Sequence, residues 1–170
     1  NTSQSEIDRQ AGMEEAFKAS GFTINAETVS AADINLEGGL GLWDDLVIRK
    51  AEGELDYAMC ANSTNSLGCL AASESAGRTD YKVFGIDDEA DQLAALTKEN
   101  SIYYATVAQN PFEIGVQVME AAVHAVEGQD DGIVKVDGIL VTRDTVQEYM
   151  ANREKSLEEL KDYLAIITAS

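Results

Sequence analysis

The sequence predicts an α/β fold, a parallel sheet with helices on both faces, and three observations predict it. Helical and strand signals alternate from one end of the chain to the other, which is the pattern of strands joined by crossover helices. Two runs, KVFGI at 82–86 and YYATVA at 103–108, read as buried strands. They stop on Asp87 and Gln109, so a carboxylate and an amide emerge at the carboxyl edge of the sheet, where open α/β folds bind ligands.

The elements follow in order. Residues 5–20 read as a helix, with Ile7, Ala11, Met13, Ala16 and Phe17 towards one side, Ser3 or Ser5 as cap and Gly21 as stop. FTINAETVSA, at 22–31, reads as a strand. The next helix spans 36–51, with Leu36, Leu40, Trp43 and Val47 at helical spacing. Gly38, Gly39 and Gly41 weaken its first turns, so packing must hold them; a close helix-to-sheet approach explains them better than a phosphate loop, since neither GxGxxG nor Walker spacing is present. LDYAMCA is a strand leading into NSTNSLGCLAASESAG, a helix that Gly77 stops. After KVFGI comes the helix DEADQLAALTKEN, and after IYYATVA the helix NPFEIGVQVMEAAVHAVEG, with Asn110 as cap, Pro111 at the first helical position and Glu113 in the first turn. That helix is apolar nearly all round and expects cover on most sides. VKVDGILVT returns as a closing strand, and a helix runs from about residue 144 onward. Its Val146, Met150, Leu157, Leu160, Leu164 and Ile167 form a heptad seam broken only by Arg153, open to two readings: a helix packed along its own domain, or a dimerising coil.

Composition bounds the function. The 170 residues suffice for one ordinary domain, and 31 acidic against 12 basic residues give a formal net charge of −19. Such a surface repels phosphate backbones and anionic headgroups and excludes nucleic acid as a partner. No apolar run is long enough to span a bilayer. Cys60 and Cys69 fit no zinc or redox spacing and read as small core residues, with a disulfide open in an oxidising compartment. Catalysis finds little support, and the chain is not expected to be an enzyme. The single His124 reads as a helix-surface residue, and the pairs Asp44-Asp45, Asp87-Asp88 and Asp130-Asp131 as solvated loop and helix-start positions. Neither a metal nor a cofactor is expected, since no DxDxDG loop accompanies Asp87 and Asp88.

The segment from Lys82 to Gly115 resembles the type I periplasmic sugar-binding proteins, the ribose- and galactose-binding group that delivers solutes to bacterial ABC importers. Their matching strand reads G-F-D, followed by A-T-x-A-Q-x-P-x-x-x-G, and this chain fills every fixed position except Phe, which is Ile86. The resemblance implies one lobe of a two-lobed fold closing around a cleft. The opening NTSQSEIDRQAGMEEAF is similar to the turn and helix after the first strand of the second lobe, which implies a C-terminal lobe fragment without its first strand. The implied layout is a lobe at 1–109, a crossover helix at 110–134 that packs on the other lobe in the family, a closing strand at 135–142, and an additional amphipathic helix at 143–170.

The resemblance also assigns a site. Asp87 and Gln109 stand at the family's binding positions, and AMCANSTNSLG resembles its strand-end asparagine pattern, with Asn62 at the binding Asn and Ser63, a helix cap, where the acid usually sits. Arg9 matches a commonly present arginine of the first helix, while Ile7 occupies the place of another; Ile34 stands where an aromatic residue usually stacks on the sugar. Planar amide, carboxylate and guanidinium groups suit hydroxyls that both donate and accept. The implied ligand is a small neutral molecule, a monosaccharide, and the implied partners are the membrane subunits of an ABC transporter. The implied location is extracytoplasmic, periplasmic or as a cell-surface lipoprotein. Self-association through the 111–127 or the 144–167 helix is open. Two alternatives remain: an extracytoplasmic sensory domain feeding a kinase or cyclase through the last helix, and the effector-binding domain of a LacI-type repressor. The latter usually carries a Pro-rich G-F-D-D loop and a T-T-V strand, where this chain has ATVAQNP and a single Pro.

Overall fold

The computed structural model describes residues 3–168 apart from 22, 24, 32 and 34, with residues 160 and 162–168 described through their backbone alone. The fold is α/β, and the chain divides into two compact units, Asn1–Ile86 and Asp87–Ser170.

In the first unit, helix α1 (Gln4–Ser20) opens on a capping box: Ser3 Oγ accepts from the Glu6 amide at 3.3 Å, and Glu6 accepts from the Ser3 amide at 3.3 Å. Its half-buried stripe runs through Glu6, Arg9, Met13 and Phe17, while Ile7, Ala11 and Ala16 stay exposed. Two of the four inward positions are therefore charged, and the stripe has a polar end. The predicted strand at 22–31 is not present among its described residues. An extended run becomes a strand only where a neighbour shares its ladder, and the described residues of this run join none.

Helix α2 (Leu36–Arg49) starts where Asn35 accepts from the Gly38 amide at 2.7 Å, and it buries Gly39, Trp43, Leu46 and Val47. The seam is rotated from the predicted one, leaving Leu36 exposed. Its partner is helix α3 (Ser63–Ser75), and the two backbones meet at glycines. A Cβ on Gly39 would lie 2.6 Å from the Thr64 carbonyl oxygen, and one on Gly68 would lie 2.5 Å from the Gly39 carbonyl carbon. The predicted close approach is thus helix to helix rather than helix to sheet.

Strand β1 (Tyr57–Met59) runs parallel to β2 (Lys82–Ile86), with Tyr57 opposite Lys82 and Met59 opposite Phe84. Ala58 and Val83 point to the core beside the free, buried Cys60 and Cys69. Tyr81 joins this core through Ser73 Oγ at 2.5 Å. Outside it, Arg78 ties the α2 end to the start of β2: it pairs with Asp80 at 2.6 Å and donates to the carbonyls of Val47, Lys50 and Ala51.

In the second unit, helix α4 (Ala90–Thr97) is closed by Glu89 and Gln92, and buried Gln92 also donates to the Tyr103 hydroxyl at 2.9 Å. Strand β3 (Tyr103–Ala108) is buried at Tyr103, Ala105, Thr106 and Ala108. Helix α5 (Pro111–Val126) leaves at its end, and strand β4 (Ile139–Thr142) returns to pair with it, Ala108 opposite Ile139 and Ala105 opposite Thr142. Because the chain departs from and comes back to the same end of β3, β4 is antiparallel, the usual way a parallel sheet acquires a reversed strand. Only 139–142 of the predicted closing strand pairs. No residue of α5 is buried, and Val118, Met119 and Val126 stand 61%, 65% and 90% exposed. His124 on this helix pairs at 2.8 Å with Asp131, which is an exposed loop residue, as expected, and also has this partner.

Helix α6 (Val146–Thr168) packs against α4 and β4, with Val146 buried. Leu157 of the predicted seam is exposed, and the side chains of Leu160, Leu164 and Ile167 lie outside the described residues. Arg153, which interrupts the seam, turns to the unit's own Asp88 at 3.2 Å.

Candidate functional site

Two groups of side chains sit at strand ends, one in each unit. In the first unit, β1 ends in a turn that carries Asn62 to the N-cap of α3. Asn62 is buried, and its amide is nearly fully used: Oδ1 accepts from the Asn65 amide at 3.0 Å and from Thr64 Oγ1 at 2.9 Å, while Nδ2 donates to Glu6 at 3.0 Å. Asn62 is therefore the cap, and Ser63 is the first helical residue instead of the predicted cap. Arg9 reaches the same turn from α1 and donates to the Ala61 carbonyl at 2.8 Å. Glu6 and Arg9 are one helical turn apart, so a single face of α1 grips the turn with an acid and a base.

In the second unit, Asp87 has φ +81° and Asn110 has φ +54°, the two non-glycine residues with positive φ among those described. L-residues adopt this left-handed region rarely, Asp and Asn least reluctantly, and strain of this kind gathers at sites that need a side chain aimed in one direction. Asp87 follows β2, and Asn110 follows Gln109 at the end of β3. The backbone of Asp87 is held from both sides: its amide donates to the Val107 carbonyl at 3.0 Å, and its carbonyl accepts from Thr106 Oγ1 at 2.6 Å. Gln109 Nε2 then donates to the Asp87 carboxylate. The two side chains set an acceptor group and a donor group side by side at the strand ends, suited to hydroxyl groups.

Asp88 differs from the solvated residue predicted. Its side chain is 12% exposed and accepts from the Tyr149 hydroxyl at 2.6 Å, and Arg153 donates to its backbone carbonyl at 2.8 Å. Burial, and then the Asp88 carboxylate, raise the Tyr149 phenol above its ordinary range, so it remains a donor. Sequence reasoning missed Asp88, Tyr149, Arg153 and Glu6. The one signal available was Arg153 itself, a cation placed in an otherwise apolar seam.

The structure brings Arg9 and Asn62 to one turn and Asp87 and Gln109 to another. Ile34 lies outside the described residues. Among the described residues, no three His, Cys, Asp or Glu side chains are grouped to hold a metal ion, and no helix is long and apolar enough to cross a membrane.

Residues 1–130 match the periplasmic binding protein domain family. The ribose import binding proteins of Salmonella typhimurium and Escherichia coli are 30% and 29% identical to the chain over 122 residues, which is 72% of this chain and 39% of each relative. The chain thus spans about two fifths of the length of these curated relatives. An ABC transporter solute-binding protein from Bacillus halodurans, solved with bound myo-inositol, superimposes with a TM-score of 0.70 at 27% identity, over 85% of this chain and 49% of that one. The arabinose-binding component of a Shewanella ABC transporter has the same fold, with a TM-score of 0.72 at 20% identity over 91% of this chain and 52% of that one. The family match falls on the elements that carry both strand-end groups, and by it the chain belongs to the periplasmic binding protein domain family.

Proposed function

We propose that the protein binds a neutral polyhydroxylated solute, a monosaccharide, for delivery to the membrane subunits of an ABC importer outside the cytoplasm. The observation that carries the reading is the pairing of Gln109 with Asp87 at the end of β3, with Asp87 fixed in a left-handed conformation. A carboxylate and an amide side by side accept from and donate to vicinal hydroxyls, and their neutral-plus-acid character disfavours anionic ligands in a chain of net charge −19. The similar proteins described above are named for ribose and arabinose or were solved with myo-inositol, all neutral polyols. Asn62 and Arg9 are the candidates of the first unit, and Ile34 occupies the place where the family usually stacks an aromatic residue on the sugar.

The proposed layout keeps the ligand-bearing lobe at 1–109, the crossover at 110–134, the closing strand at 135–142 and the extra helix at 143–170. The bare apolar surface of α5 supports a covering partner for the crossover, either a second lobe or a second copy of the chain through 111–127 or 144–167. Such a domain has no catalytic task, and periplasmic release and lipoprotein anchoring are the two ways of holding it outside the cell. Thermal-shift and calorimetric titration with D-ribose, L-arabinose, D-galactose and myo-inositol tests the reading. A stabilising sugar whose effect disappears in Asp87→Ala is expected; no response to any of the four, or a response that survives Asp87→Ala, overturns the site.

A further inference from the structure

We propose that Tyr149 and Arg153 of α6 are positioning residues for Asp87, holding the turn after β2 in the conformation that presents the Asp87 carboxylate beside Gln109. The inference rests on the reading of Asp87 as a ligand-binding residue, but its geometry does not. Asp87 is a non-glycine residue at φ +81°, and a turn of that kind relaxes unless its neighbours are fixed. On the N-terminal side of the turn, the Val107 carbonyl and Thr106 Oγ1 fix the Asp87 backbone. On the C-terminal side, the Glu89 and Gln92 box starts α4, and Asp88 ties the turn to α6. Its carboxylate takes the Tyr149 hydroxyl at 2.6 Å and Arg153 at 3.2 Å, and its carbonyl takes Arg153 at 2.8 Å. Side chain and backbone of Asp88 are thus both anchored to α6.

The helix is a fixed anchor. Val146 is buried, the Tyr149 amide donates to Thr145, and Thr145 Oγ1 accepts from the Thr142 amide at the end of β4. Strand β4 is paired along β3, the strand that ends on Gln109. One rigid assembly of β3, β4 and the first half of α6 therefore sets the positions of both Gln109 and the Asp87 turn. Arg153, out of place in an apolar seam, and Asp88, a largely covered acid, explain each other.

The test uses the 170-residue chain and the variants Tyr149→Phe, Arg153→Gln and Arg153→Lys, with two readouts. Amide exchange at Asp87, whose N–H is bonded to Val107, is expected to quicken about tenfold in Tyr149→Phe and in Arg153→Gln, while the amides of Cys69 and Val83 keep their protection. Affinity for whichever of D-ribose, L-arabinose, D-galactose or myo-inositol binds is expected to weaken by about the same factor, with Arg153→Lys recovering part of it. Unchanged exchange at Asp87 in both variants overturns the proposal whatever the sugar does, and so does a uniform rise across the chain, which would make the contact a merely structural one. Failure of the site itself has a separate signature: Asp87→Ala leaves sugar affinity unchanged while exchange at Asp87 still responds to Tyr149→Phe.

Discussion

Replacing Gly68 by alanine tests the packing of α2 on α3 most directly. A methyl group there would stand 2.5 Å from the Gly39 carbonyl carbon and 2.6 Å from the Leu40 nitrogen, where ordinary contact begins at 3.4 Å. Both obstacles are backbone, so the helices must separate by roughly 1 Å, at a cost of about 1–3 kcal/mol for an overpacked core. Alanine also recovers about 1 kcal/mol of helix propensity. The net expectation is destabilisation by about 0–2 kcal/mol, or up to ~8 °C in Tm for a chain of this size. Gly41, on the exposed side of α2 with nothing within 4 Å of where an alanine methyl would stand, is the internal control. The same substitution there should stabilise by about 0.5–1 kcal/mol, because only propensity changes. The sole tryptophan, Trp43, is 8% exposed in this interface, so its fluorescence in urea titrations reports both variants. If Gly68→Ala raises the midpoint as Gly41→Ala does, the close backbone approach of the two helices is not there.

The Arg78 guanidinium at 2.6 Å, with the Gly53 amide, holds the Asp80 carboxyl well below the usual carboxylate range; a depressed folded-state pKa contributes stability above the unfolded value near ~4 that is lost as pH falls towards the folded one. Urea midpoints of the wild type should therefore drop more steeply than those of Asp80→Asn from about pH 4 downward, and parallel acid limbs would remove the ion pair from the account. Asn62→Ser keeps a good N-cap but loses the amide donor to Glu6, so stability should change by less than about 1 kcal/mol while sugar affinity falls; an affinity equal to the wild type's would limit Asn62 to capping.

The fold was legible in the sequence wherever one element decides its own state. Ser3 and Gly21 bound α1, and Pro111 starts α5, because caps and a fixed φ act locally. KVFGI and YYATVA read as strands because each is a dense apolar run that pairs within its own unit. What stayed hidden depends on a second element. Residues 25–31 carry strand-like composition but join no ladder, and composition does not say whether a run will pair. The antiparallel sense of β4 is set by where α5 returns the chain, not by any residue of ILVT. At the candidate site, Asp87 and Gln109 were visible as strand-end residues, but the Asp88 clasp joins residues more than sixty positions apart in sequence, beyond the reach of any local pattern.

The hydrogen-bond inventories of the candidate residues rank them in a way sequence reasoning cannot. Asn62 spends both lone pairs of its oxygen on the first turn of α3 and one N–H on Glu6, which leaves a single N–H for a ligand unless the cap is broken. Arg9 gives one of its five N–H groups to the Ala61 carbonyl and keeps a charge suited to hydroxyl oxygens. Asp87 and Gln109 stand differently: Val107 and Thr106 fix the backbone of Asp87, and the two side chains engage each other. Exchanging that mutual bond for bonds to a sugar trades like for like, whereas recruiting the Asn62 oxygen would expose helix amides that nothing else caps. On the proposed reading, discrimination between solutes rests on Asp87 and Gln109, and Asn62 by itself offers one donor and no acceptor.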